Sequence, residues 1–240
     1  RVSYSESFLP FFAYKWYPLR SLSDGNFVYL HGPQPSLYRT SSDPREEHDL
    51  APEQAAAAGR WTERLEASLA AMGEKLEPVL RAENVLSEEQ RAQLQSLGYL
   101  AGGSGGSVGG DLPDPRQQVG LARELHQAAE GVQQGRCAEV LRPLQDIVRR
   151  DPHNFPALAL AGQCLRSAGR EADALALFQR ASAENDLSAV PIANAAGSLL
   201  ALGRTAEAER EYRRALTLDP TLPEAASNLA RLLRERGDRG

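Results

Sequence analysis

The stretch from Ala189 to Leu222 reads AVPIANAAGSLLALGRTAEAEREYRRALTLDPTL, and its reading decides the fold. Two runs of helical apolar spacing flank Gly203. Glycine recurs every 34 residues around that point, at Gly135, Gly169 and Gly237. Neighbouring positions keep the same period: Ala174 with Ala208, Phe178 with Tyr212, and Ala181 with Ala215, while Asp151-Pro152 and Asp219-Pro220 lie two periods apart. A fixed period of this length is the signature of stacked helix pairs. Every one of these positions has a physical reason: glycine for the tight turn, small alanine where two helices cross closely, an aromatic ring filling the space beside it, and proline ending the second helix.

Residues 155–188 follow the same scheme through Gly162, Leu165, Gly169, Ala174, Phe178 and Ala181, with Asp186 in place of the terminal proline. Residues 121–154 depart from it, with Val140 and Leu144 where alanine and an aromatic are expected. Residues 223–237 supply only a first helix, with Leu229, Leu232 and Leu233 set against Arg231, Arg234 and Arg236, as a polar-backed terminal unit requires. The expected domain is therefore residues 118–240, an all-α solenoid of three repeats (121–154, 155–188, 189–222) and a capping helix (223–237). Together these residues resemble the tetratricopeptide repeat. That resemblance implies a concave groove lined by the first helices of successive repeats, open to an extended peptide or a partner helix. By position the groove would present Gln163, Arg166, Asn194, Asn228, Arg231 and Arg234. Side-chain amides one repeat apart, Asn194 and Asn228, can bond a peptide backbone or simply solvate the face. The lysine-rich clamp of chaperone-binding arrays is missing, since no lysine follows Lys75.

The 240-residue chain carries a formal net charge of -5, the wrong sign for a phosphate-backbone binder, so nucleic-acid binding is set aside. No apolar run is long enough to span a membrane. Cys137 and Cys164 suggest neither a disulfide framework nor a metal-ligand spacing, and the compartment cannot be read from them. The chain begins at Arg1 without an initiator methionine or a signal-peptide pattern, which suggests a fragment lacking an N-terminal portion.

Residues 101–117, rich in glycine and serine between Gly102 and Gly110, read as a linker between two different cores. Ten of the fifteen aromatic residues precede residue 41, whereas alanine, leucine and arginine dominate after the linker. Residues 1–100 read as α+β. Strands are expected at 19–22, 27–30 and 37–38, with Asp24-Gly25 as hairpin-turn chemistry. A helix follows from about Pro52, with Trp61, Leu65, Leu69, Met72 and Leu76 on one face and Pro78 ending it. A second helix runs from Ser87, whose capping box includes Gln90, to Gly98.

The segment Tyr14-Lys15-Trp16-Tyr17-Pro18-Leu19-Arg20-Ser21-Leu22-Ser23-Asp24-Gly25, then Leu37-Tyr38, Asp43-Pro44 and Asp49-Leu50, resembles the C-terminal subdomain of the sulfatases. Leu94-Gln95-Ser96-Leu97-Gly98-Tyr99 is similar to the end of bacterial sulfatases that continue into tetratricopeptide repeats. The resemblance implies a parent enzyme that hydrolyses sulfate esters, a sulfuric ester hydrolase. Its formylglycine and divalent metal (Ca²⁺) would belong to a catalytic domain that precedes this chain and packs against residues 1–50. A periplasmic or extracytoplasmic setting would follow. Lys15 and His31 would then lie near substrate, and Trp16 and Tyr17 would pack on the absent domain, leaving an apolar patch here. This chain itself carries no Cys/Ser-x-Pro-x-Arg motif, so no catalytic residue and no metal ligand is assigned in it. His48 and His126 lack a second ligand at useful spacing, Glu46-Glu47 reads as a solvated corner, and Ser41-Ser42 lacks a nucleophile context. Two functional readings result: a fragment of a sulfatase-like hydrolase with a repeat module that binds protein, or a stand-alone repeat scaffold without enzymatic activity.

Overall fold

The structure, a computed structural model, describes residues 2–7, 9–14, 16–74, 76, 79–80, 106–107, 112–185 and 188–237. The chain divides into two compact units, Arg1–Val85 with Gly105–Val119, and Leu86–Ser104 with Gly120–Gly240.

The first unit is built on four antiparallel strands in the order β1 (Ser3–Ser7), β2 (Leu19–Ser23), β3 (Phe27–His31) and β4 (Ser36–Arg39). A short helix α1 (Leu9–Tyr14) links β1 to β2. The register sets Leu22 opposite Tyr29 and Tyr29 opposite Leu37, so strand alternation turns all three to one face. They are sealed there by Ala58, Leu65 and Leu69 of α2 (Ala55–Ala71), with Trp61 stacked 6.5 Å from Tyr29. The β2–β3 turn is the expected one: Gly25 has φ +91, and Asp24 Oδ1 accepts the N–H groups of Asn26 and Phe27, both at 3.0 Å.

Several expectations for this unit change. Strand β1 was invisible because Ser3–Ser7 has only Tyr4 leaning on the core and no apolar alternation; its order comes from pairing with β2. Helix α2 ends at Ala71, with Gly73 in the left-handed conformation just beyond its cap (φ +78), well before Pro78, which leaves Met72 53% exposed while Leu76 packs back on the core from beyond the helix. Trp16 is buried at 3%, as is Phe11, and the Trp16 ring stacks on Tyr14 at 4.4 Å, so the expected exposed apolar patch at Trp16 is absent. The expected helix from Ser87 to Gly98 lies outside the described residues.

The expected linker is partly structural. Gly106–Ser107 (β6) pairs with Val79–Leu80 (β5), and residues 112–117 are bonded to the sheet unit. Tyr17 N–H donates to the Pro113 carbonyl at 2.9 Å. The Arg116 guanidinium donates to Ser36 Oγ, to the Gln34 carbonyl and to Asp114, whose carboxylate is itself buried at 6% exposure. The hydrogen bond to Asp114 chiefly, with the Asp114 charge, raises the pKa of Arg116 against the opposing effect of burial.

Among the described residues the second unit is a run of seven helices: α3 (Val119–Gln133), α4 (Cys137–Arg150), α5 (Phe155–Ser167), α6 (Glu171–Glu184), α7 (Ala189–Ala201), α8 (Thr205–Leu218) and α9 (Pro223–Arg236). Neighbouring helices from α4 onward pack in sequence order. Gly135, Gly169, Gly203 and Gly237 all occupy the left-handed region, at φ +73, +73, +76 and +80, which explains why their spacing carries the repeat. Ala174, Ala181, Ala208 and Ala215 are fully buried, with Phe178 and Tyr212 filling the space between helices. A Cβ on Gly162 would stand 2.6 Å from the Phe178 ring, so the aromatic and the glycine require each other. In the first repeat Leu144 takes the aromatic position, also fully buried. Asp186 lies outside the described residues.

One expectation about the cysteines is overturned: Cys137 and Cys164 form a disulfide, with Cα atoms 4.8 Å apart. Their separation of 27 residues places them face to face only once the repeat register stacks the start of α4 on the last turn of α5. Cysteine spacing alone does not contain that register.

Candidate partner groove

Of the six groove positions expected from the repeat, Arg166, Asn194, Asn228 and Arg231 carry the geometry. Arg166 points from α5 towards α7, where its Nη1 donates to Asn194 Oδ1 at 3.0 Å. Its guanidinium carbon lies 5.8 Å from the centre of the Phe178 ring, within cation–π range. Gly197, one turn after Asn194, leaves the room: a Cβ there would be 3.3 Å from Arg166 Nη1 and 3.6 Å from the Tyr212 hydroxyl. Among the described residues, Arg166 is half-buried and makes no ion pair with a carboxylate.

The Tyr212 phenol is buried beneath this region, its hydroxyl 3.6 Å from where a Cβ on Gly197 would stand. Its pKa is raised chiefly by burial and further by the charge of Glu224, while Arg231 and Arg166 pull it the other way. Arg231 reaches this region from α9 and is steadied by Asn228 Oδ1 at 3.4 Å and Glu235 at 3.3 Å. Side chains from α5, α7, α8 and α9 thus converge, with cationic groups at both ends of the surface.

Asn194 departs from its expected place: it is 3% exposed and holds Arg166 in position instead of being displayed like Asn228. Gln163 and Arg234 belong to this face by helical position; the Gln163 carbonyl accepts the Ser167 hydroxyl, and Arg234 is exposed. Gly197, beside Arg166, and the buried rings of Phe178 and Tyr212 behind it were not foreseen as neighbours of this face. The clue for Gly197 was its place one turn beyond Asn194.

In the sheet unit, Lys15 lies outside the described residues. His31 is half-buried between two tyrosines: Tyr17 Oη is 3.3 Å from Nε2 and Tyr29 Oη is 3.3 Å from Nδ1. Tyr29 Oη also lies 2.7 Å from Thr62 Oγ1. Burial, with the nearby charges of Arg20 and Arg116, lowers the His31 pKa to about 4, so the ring is neutral and accepts through one nitrogen while donating from the other. A cleft of about 640 Å³ in the same unit is lined by Ser36, Tyr38, Asp49, Thr62, Asp114 and Arg116. Its charged groups are already engaged with one another or with backbone: Asp49 Oδ1, for example, accepts the Leu37 and Ala51 N–H groups. Among the described residues no cluster could hold a metal ion, and no helix is long and apolar enough to cross a membrane.

Residues 189–232 match the family profile of the tetratricopeptide repeat, and residues 115–192 match that of the bacterial transcriptional activator domain. No curated protein sequence matches the chain. Among solved structures, the chain is similar to the first tetratricopeptide domain of Spaghetti (RPAP3) bound to an HSP90 peptide, at 20% identity over 48% of this chain and 92% of that one, with a TM-score of 0.46. The type III secretion chaperone SycD of Yersinia enterocolitica, in complex with a peptide of the translocator YopD, gives 20% identity over 48% and 94% of the two chains and a TM-score of 0.45. The chain thus combines a four-stranded antiparallel sheet with a helical solenoid that is similar to tetratricopeptide repeats.

Proposed function

We propose that this chain is a tetratricopeptide-repeat scaffold that holds an acidic segment of a partner protein in the groove centred on Arg166. The observation that carries this reading is the state of that guanidinium. It is half-buried, fixed by Asn194 and Phe178, and makes no ion pair with a carboxylate of the described residues. A pre-set, partly desolvated arginine favours a planar anion, because little side-chain entropy remains to be lost on binding. Arg231 and Arg234 add positive charge along the same face, and Asn228 offers an amide to an extended backbone.

The test is affinity. Fluorescence anisotropy with a labelled library of Glu- and Asp-rich peptides should give salt-sensitive binding, weakened tenfold or more (about 1.4 kcal/mol) by Arg166→Ala with helix content unchanged. Equal binding by the variant would remove the groove from the account.

The hydrolase reading rests on the sequence resemblance of residues 1–100 alone, since neither the family profiles nor the structural neighbours named above include a sulfatase. On that reading a preceding catalytic domain would bring the formylglycine and Ca²⁺, with Lys15 and His31 at its edge. The scaffold reading needs none of these. A periplasmic or extracytoplasmic setting gains support from the Cys137–Cys164 pair, because disulfides persist in oxidising compartments.

A further inference from the structure

We propose that the Cys137–Cys164 disulfide is a redox-sensitive joint that holds the first repeat on the second. Three observations converge on it. First, helix α4 is the least self-sufficient of the repeat helices. It contains Pro143 in its interior, which removes one internal hydrogen bond, and Leu144 stands where α6 and α8 carry Phe178 and Tyr212. Second, the disulfide crosses the α4–α5 joint at the first residue of α4, whereas the buried contacts of that helix, Val140, Leu144 and Ile147, begin one turn later. Third, the two sulfurs differ in access: Cys137 is half-buried, whereas Cys164 is only 2% exposed.

This asymmetry fixes the chemistry. A small dithiol attacks the accessible Cys137 sulfur as thiolate, the S–S bond breaks, and Cys164 leaves as thiolate and takes up a proton. The second thiol of the reductant then displaces Cys137, which also leaves as a thiol. Two electrons and two protons pass from the dithiol, which ends as a cyclic disulfide, to the protein. Once the crosslink is lost, the start of α4 is held only by its noncovalent contacts, and the first repeat opens more often than those that follow. Cys164 lies two residues before Arg166 on α5, so the joint sits directly behind the proposed groove. That consequence for binding rests on the groove reading; the opening of the first repeat does not.

The experiment is hydrogen exchange on the full chain, oxidised and then treated with dithiothreitol, with thiols counted by alkylation and mass. The oxidised chain should take up no alkylating agent and the reduced chain should take up two equivalents. Amides of residues 119–150 should exchange roughly 30-fold faster or more on reduction, with residues 189–236 changed by less than about twofold. A double variant, Cys137→Ser with Cys164→Ser, should match the reduced protein and ignore dithiothreitol. Two alkylations without reductant would overturn the proposal. So would unchanged exchange in residues 119–150, or equal acceleration along all seven helices, since a global loss of stability is not a joint. Peptide affinity measured in parallel separates the two readings, because exchange can respond even where no peptide binds.

Discussion

The two units bury their cores by different logic. In the repeat array each contact recurs one period later, so Ala174 and Ala208, or Phe178 and Tyr212, play the same part in successive helix pairs. In the sheet unit every contact is made once and between distant residues: Tyr29 packs on Trp61, and Arg116 reaches Ser36 across 80 positions. A recurring contact is written into the sequence as a period, whereas a single long-range contact leaves no local trace. The array should therefore tolerate damage at its ends better than in its middle, and the sheet unit should depend on a few irreplaceable anchors.

The largest effect should come from breaking the array at its centre. Ala208 is fully buried, so Ala208→Glu inserts a charge where two helices cross and should cost about 4 kcal/mol or more. Thermal unfolding followed by circular dichroism should show the main helical transition lowered or lost. Melting at the unmodified temperature would count against the repeat packing.

Next comes the anchor of the sheet unit. Arg116→Ala leaves the Asp114 carboxylate buried without its cation and should cost on the order of 3 kcal/mol. The same logic ranks two fragments: residues 1–118 should melt several degrees above residues 1–107, which lack the anchor. Equal melting temperatures would mean that residues 112–118 add nothing to the sheet unit.

A smaller effect should follow from pH. His31 has a folded pKa of about 4 against about 6.5 unfolded, so the unfolded chain binds more protons between those values. Its contribution is present above about pH 6.5 and is lost as pH falls towards 4, on the order of 2 kcal/mol after allowing for its partial exposure. Carboxylates such as Asp24 and Asp49, whose pKa values are lowered in the folded state, also lose stabilisation in acid. The informative quantity is therefore the difference between the native chain and His31→Gln, and parallel stability curves from about pH 7 to about pH 4 would refute the assignment. Smallest of all should be Arg231→Ala on the exposed end of the groove, within about 0.5 kcal/mol by chemical denaturation.

How far the sequence could be read follows from the same contrast. The array was legible almost residue by residue, because Gly135, Gly169, Gly203 and Gly237 each need the left-handed backbone that a helix-to-helix turn requires. The hairpin at Asp24-Gly25 and the α2 core positions Leu65 and Leu69 were legible for similarly local reasons. Strand β1 was not, since its order comes from a neighbour rather than from its own pattern. The Arg116 anchor and the Cys137–Cys164 pair were hidden because both depend on a register that exists only after folding. At the candidate groove the residue pattern reads Asn194 as a displayed amide, whereas it is the buried brace of Arg166.

The central claim, that the first helices of the array form a binding face centred on Arg166, is tested most directly by mapping where a partner touches. Titrating the isotope-labelled chain with an acidic peptide and following amide and arginine side-chain resonances should shift Arg166, Asn194, Gly197 and Arg231 first and most. Shifts confined to the second helices α4, α6 and α8, or to the sheet unit, would contradict it.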